Sequence, residues 1–210
     1  MLKTPAQPEF GGEARRGDAT RLRIIDAVLA TLAREGFASV TARAVARTGG
    51  FNQALIYYHF GGVENLMVAA LQRFSEDRLE RYGSALDGVD TVARLLGSMA
   101  RLYERDVAAG QLAAVQEIVA GCSSSPELRR RVVELLDPWI GFAERVVRRL
   151  VQGTVFEALV PVEETAYALV ALYFGVETLA HLDAGRSRIQ ALFEAGSRVA
   201  PAVDAILRPI

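Results

Sequence analysis

The sequence predicts an all-α protein, on three observations. Apolar side chains recur at helical spacing from about Thr20 onward, no stretch sustains the period-two alternation of a strand, and glycine or proline breaks divide the chain into about nine helix-length segments. Ahead of these segments, residues 1–17 hold Pro5, Pro8, Gly11, Gly12 and Gly17 without apolar periodicity and read as a flexible arm. The first helix carries Ile25, Val28, Leu29 and Leu32 on one face and stops at Gly36. Thr41, a good N-cap, opens a short second helix with Val45 on its buried side. Gly49-Gly50 breaks the chain, and Asn52 caps a third short helix through about His59. Gly61-Gly62 separates it from a longer helix over about 63–82, bearing Leu66, Ala70, Leu71 and Phe74.

Asp87-Gly88 marks a loop before a helix near 90–108, and Gly110 ends that helix before a shorter one running to about Ala120. Ser125 caps the next helix and Pro126 suits its first position. This helix is expected to run on through Pro138 with a kink there. A loop near Gly153–Pro161 precedes two apolar helices over about 162–183 and 187–207, separated by Gly185. The chain thus divides into an arm (1–17), a three-helix head (18–62) and a helical body (63–210), with no internal repeat.

Composition narrows the function. With 51% hydrophobic and 23% charged residues the chain suits a folded domain and not a disordered one. Its one cysteine, Cys122, allows no internal disulfide, and with His59 and His181 it gives too few ligands for a zinc or His-rich centre. No metal or cofactor is therefore expected. The first residues lack the apolar core of a signal peptide, and the apolar run near Ala166–Val176 ends at Glu177, too short to span a bilayer. The expectation is a cytoplasmic protein without a membrane partner. The net charge of −1 conceals an asymmetry: residues 1–62 carry eight basic and five acidic groups, +3, and the rest sums to −4. A basic front favours a polyanion partner for that segment.

The second and third helices, joined by a turn around Gly49–Phe51, have the layout of a helix-turn-helix. Side chains near the start of the second helix of such a pair reach base edges in a major groove. Those candidates are Asn52, Gln53, Ala54 and Tyr57. Gln can bond adenine through two atoms, and Ala, Leu or Tyr can touch a thymine methyl. The competing reading of Tyr57-Tyr58-His59-Phe60 is a packed core edge.

Gly50-Phe51-Asn52-Gln53-Ala54-Leu55-Ile56-Tyr57-Tyr58-His59-Phe60 resembles the signature of tetracycline-repressor (TetR) family regulators, in which a Gly-Val-Ser-like turn leads to a helix ending Leu-Tyr-Tyr-His-Phe. The match extends upstream to Ile24-Ile25-Asp26-Ala27, Glu35-Gly36-Phe37 and Thr41, and downstream to Glu64 and Leu66, over about residues 20–72. The resemblance implies that Gln53, Ala54, Leu55 and Tyr57, with Asn52, face bases. It implies that Thr41, Tyr58 and His59 contact phosphates, and that Ile56 and Phe60 are core. Three positions depart from the pattern. Val63 stands where a phosphate-gripping Lys is common, which would lower the salt slope by about 0.9. Phe51 and Asn52 replace the usual Val and Ser, Phe51 as a core plug and Asn52 as a retained cap. Leu55 is bulkier than usual at the start of the helix.

The body is more apolar than a DNA-binding head requires. Its last two helices carry Leu169, Leu172 and Val176, then Leu192, Val199 and Val203. The resemblance implies that these helices pack against a partner's copies as a four-helix bundle, forming a homodimer that reads a near-palindromic operator in double-stranded DNA. It further implies a pocket for a small-molecule effector, whose binding acts through helix 63–82. Tyr103, Gln116, Glu117, Trp139, Phe142 and Tyr173 are the pocket candidates by character. Glu177 and His181, one turn apart on an apolar helix, need partners, either across a dimer interface or in a pocket.

A ligand-responsive repressor is the function these readings predict. The rivals are an architectural DNA-binding protein and an enzyme. No paired carboxylates, nucleophile–base layout or phosphate loop supports an enzyme. Arg15 and Arg16 either reach a minor groove or belong to a solvated tail. Cys122 reads as a buried or loop thiol, with redox sensing requiring an exposed, acidified thiol. Arg129-Arg130-Arg131 reads as a solvated helix face.

Overall fold

The structure, a computed structural model, describes residues 10–110, 112–182 and 187–208. Among these residues there are ten α-helices, two short 3-10 turns and no strand. They form two compact units, one ending at Ala70 and the other beginning at Leu71. The division falls inside a helix and not at Gly61-Gly62. Leu66, Met67, Val68 and Ala70 are all buried, so the first turns of that helix carry core residues.

In the first unit, α1 (Phe10–Glu35) precedes α2 (Ala42–Gly49), α3 (Ala54–Phe60) and the start of α4 (Val63–Ala85). The arm expected over 1–17 is corrected in part, because α1 already begins at Phe10; residues 1–9 lie outside the described residues. Extending a nucleated helix adds one bond per residue fixed, and Glu13, Ala14, Arg15 and Arg16 are good helix formers, which outweighs the glycines among them. Ile24, Val28 and Leu32 of α1 are buried with Val45 of α2 and Ile56 of α3, and α1 packs on α2. Thr31, fully buried, donates to Ala27 O (2.7 Å) and shares a bond with Thr48 (3.0 Å), so its hydroxyl costs little.

The second unit holds the rest of α4 with α5 (Val92–Ala109), α6 (Leu112–Gly121), α7 (Pro126–Glu134), α8 (Asp137–Val151), α9 (Val162–Leu182) and α10 (Ser187–Ile206). Thr91 caps α5 and Ser125 caps α7 through their side chains. The single kinked helix expected through Pro138 is two helices. A proline ring collides with the carbonyl four residues earlier, here Glu134, where α7 ends; Leu135 and Leu136 turn, and Pro138 sits in the first turn of α8, where no N–H is needed. α8 packs along α9, α10 along α5, and α6 against α9. Tyr82, Leu86, Val89 and Leu102 form a core cluster on which Trp139 and Phe142 rest.

α9 runs beyond the apolar stretch Ala166–Val176 at both ends. At 21 residues and a mean hydropathy of 1.2 it is long and apolar enough, by length and composition, to cross a membrane. Much of its apolar surface is open: Leu172 is 62% exposed and Leu179 65%. On α10, Leu192, Val199 and Ile206 are also exposed and recur at heptad spacing.

Candidate nucleic-acid interface and ligand cavity

The head is built around two helix ends and the turn between them. Thr41 Oγ1 accepts the Ala44 N–H (3.1 Å), fixing the start of α2. α2 ends at Gly50, whose φ of 64° lies in the left-handed region that a side chain disfavours. The chain then closes through a bond from Phe51 N–H to Ala46 O (3.1 Å). A Cβ on Gly49 would collide with the Phe51 ring and come within 2.8 Å of Ala27 Cβ, so glycine there lets α1, α2 and the turn meet. Phe51 is half-buried over this point, a partial plug. Asn52 Oδ1 accepts the Ala54 N–H (2.9 Å), the cap expected, although regular helix begins only at Ala54.

These constraints bury Ile56 and Phe60 and turn the other face of α3 outward. Asn52, Gln53, Ala54 and Tyr57 are exposed, as is Thr41; Leu55 and His59 are half-buried. Tyr57 is 57% exposed and Tyr58 83%, which excludes the packed core edge as the reason for these tyrosines. Sequence reasoning missed the arginines around them. Arg21 donates to His59 O (3.2 Å) and lies 4.5 Å from the Phe60 ring centroid, tying α1 to the end of α3. Arg43 and Arg47, with Gly50, Asn52 and Gln53, line an open depression beside α3. Arg47 pairs with Glu35 (3.2 Å), whose carboxyl is held below its ordinary pKa by its hydrogen bond from Arg34 and by Arg47. The signal was available, since Arg43 and Arg47 are one turn apart on α2. The side chains of Arg15 and Arg16 lie outside the described ones. No cluster of three metal-ligating side chains occurs among the described residues.

The second unit contains a cavity of about 370 Å³ with an almost wholly apolar wall. Trp139, Phe142 and Tyr173, three of the pocket candidates, line it. Tyr103, Gln116 and Glu117 do not, which corrects their selection on character alone. Tyr103 stacks on Phe193 (5.9 Å between centroids) behind the wall, Gln116 accepts from Thr178 (3.0 Å), and Glu117 faces His181 (3.6 Å). The Val176 and Leu169 side chains named for the dimer face also border the cavity.

At one end of the cavity stands a buried polar cluster centred on Arg78 of α4. Its guanidinium donates to Asp106 of α5 and Glu177 of α9, and to the hydroxyls of Tyr82 and Tyr173 (3.0 Å each). Tyr82 donates to Asp106 (2.9 Å) and is 2.7 Å from the Tyr173 hydroxyl, and Arg81 also donates to Asp106 (3.0 Å). Burial alone would lower the Arg78 pKa, but the charge of Glu177, its hydrogen bond and the two phenols together outweigh it and hold the guanidinium above its ordinary value. Burial pushes both phenols well above theirs. Glu177 thus finds its partner within the chain, on the cavity wall. Arg78 was legible in principle as a charge on the stripe Leu71, Phe74, Arg78, Tyr82, whose other members are apolar or aromatic. Cys122 is half-buried and donates to Val119 O (3.0 Å), and Arg130 pairs with Glu127 (2.6 Å) on an exposed helix face.

The profile of the bacterial regulatory proteins of the tetR family matches residues 24–70. Among curated proteins, the HTH-type transcriptional regulator UidR of Escherichia coli is 28% identical over 127 residues, 60% of this chain and 58% of that protein. The HTH-type transcriptional repressor KstR of Mycobacterium tuberculosis is 30% identical over 136 residues, 63% of this chain and 60% of that protein. The match thus spans less than two thirds of either relative. Among solved structures, GusR of Salmonella enterica aligns with a TM-score of 0.71 at 23% identity, over 90% of this chain and 95% of that one. The multidrug binding protein EbrR, complexed with malachite green, aligns with a TM-score of 0.61 at 25% identity, over 86% of this chain and 98% of that one. The helix-turn-helix head thus matches the tetR family of bacterial regulatory proteins over residues 24–70, and the chain as a whole is similar to these regulators.

Proposed function

We propose that this chain is a DNA-binding transcriptional repressor that releases its operator when a small molecule fills the cavity of the second unit, and that it is not an enzyme. The observation that carries the reading is the outward face of α3, where Gln53, Ala54, Tyr57 and Tyr58 are exposed on a helix anchored by buried Ile56 and Phe60. Gln53, Ala54, Leu55 and Tyr57, with Asn52, read bases; Thr41, Tyr58 and His59 hold phosphates, and exposed Arg43 joins them. KstR is described as a repressor and EbrR as a binder of small molecules, which supports repression and ligand response here.

The working form is a homodimer. Exposed Leu169, Leu172, Leu192 and Val199 make an apolar face of the kind that marks an interface, and two recognition helices must enter successive major grooves about 34–36 Å apart. The domain division serves this scheme: a head for DNA, a body for ligand and partner, and α4 carrying residues of both units. A ligand need favour the non-binding state by only about 1–3 kcal/mol to weaken operator binding about 5–150-fold.

Selection of operators from a random duplex library tests the reading. A palindrome should be enriched by the wild-type protein and lost or relaxed with Gln53→Ala and Tyr57→Ala. Salt-sensitive binding without an enriched sequence would instead indicate an architectural protein.

A further inference from the structure

The cavity's wall carries two charged side chains, Arg78 and Glu177, and they are paired with each other. Asp106 takes a second edge of Arg78 and is itself shared with Arg81. Two guanidinium groups and two carboxylates therefore sum to zero. Arg78 and Glu177 are each 5% exposed and Asp106 2%, so water does little to screen them. The faces of Arg78 are also occupied, since the rings of Phe74, Tyr82, Trp139 and Tyr173 have centroids 5.1–5.7 Å from its central carbon. The two phenols are spent within the cluster: Tyr82 donates to Asp106, which leaves Tyr173 to donate to Tyr82, while both accept from Arg78. Ser75 accepts from Trp139 Nε1 (2.7 Å).

An anionic ligand would meet a guanidinium whose charge Asp106 and Glu177 already balance, and would bring into the cluster a buried negative charge with no cation left to offset it. A cationic one would do the same in the opposite sign. Burying an uncompensated charge is the most costly of these exchanges. We propose that the effector of this cavity is a neutral, largely apolar molecule, and that the self-neutralised Arg78 cluster excludes ions of either sign. This inference rests on the reading of the cavity as the effector site. The volume, about 370 Å³, lies near the lower end of the ~300–1,000 Å³ typical of ligand pockets, which suits a compact hydrocarbon skeleton of two or three rings or its open-chain equivalent.

Three dyes test it on the full chain. N-phenylnaphthylamine is neutral, anilinonaphthalenesulfonate is the same skeleton with a permanent anion, and malachite green is a cation. Trp139 is the sole tryptophan and stands on the cavity wall, so dye emission sensitised by exciting it reports binding there. Ala143→Phe, which adds a ring at the cavity wall, should abolish that signal. The neutral dye should bind about tenfold or more tightly than either ion. With Glu177→Gln the cluster gains a positive charge, and the sulfonate should gain about tenfold relative to the neutral dye. Equal or tighter binding of either ion to the wild-type protein, or no binding of the neutral dye, would overturn the proposal. Operator affinity measured in the same samples is a separate readout. A neutral dye seated in the cavity with operator affinity unchanged would count against ligand-responsive regulation while leaving the charge rule standing.

Discussion

At Gly49 the Phe51 ring and the Ala27 methyl lie within a methyl group's reach, and the position is occupied by the one residue that has no Cβ. Gly49→Ala must displace the Phe51 ring and press on Ala27, and overpacking of this sort costs about 1–3 kcal/mol. The melting temperature should fall, and DNA affinity should fall with it because Phe51 precedes the Asn52 cap. The buried phenols give a second prediction. Burial raises the pKa of Tyr82 and of Tyr173 above the ordinary value of about 10, although Arg78 opposes the shift. Because the folded-state value exceeds the unfolded one, this stabilisation is complete below about pH 10 and is lost as pH rises beyond it. An absorbance titration of tyrosinate should therefore leave Tyr82 and Tyr173 silent until the protein unfolds.

Among the helices, α4, α5 and α9 are joined by the Arg78 cluster. Arg78→Ala would leave Asp106 and Glu177 buried beside fewer positive charges, and removing one partner of such a group costs about 3–5 kcal/mol. Urea unfolding should show a midpoint lowered accordingly. α9 and α10 carry the other element-scale prediction. Leu172→Glu places a charge on the exposed apolar face that the proposed dimer would bury. Sedimentation should show the variant as a monomer at concentrations where the wild-type chain is a dimer. The helices themselves were legible from periodicity and caps: Thr41, Asn52 and Ser125 all accept the N–H bonds that their positions demand. The break at Leu135–Leu136 was read as a kink at Pro138 because a proline can kink a helix or begin one, and only the fate of the Glu134 carbonyl decides between them. The Arg78 cluster was harder to read because its partners lie 28 and 99 residues away, and no local pattern encodes such pairs. For the same reason Tyr103, Gln116 and Glu117 could be chosen for their chemistry but not placed relative to the wall.

On the scale of the whole molecule, the sequence already separates a basic front from an acidic body, and the two units differ in the same sense as their chemistry. The first has exposed arginines and tyrosines around a rigid turn; the second has an apolar cavity and an apolar outer face. Binding to DNA should weaken as salt rises, with a slope set by the number of phosphates contacted. Arg43→Ala should reduce that slope by about 0.9 and weaken specific and non-specific binding alike. Gln53→Ala should act on specific binding alone. The measurement that bears most directly on the central claim is the ratio of affinities for the selected operator and for a scrambled duplex, at one stated salt concentration. A sequence-reading regulator should give a ratio of about 10³–10⁷ that collapses with Gln53→Ala, whereas a ratio near one, unaffected by that substitution, would contradict the account.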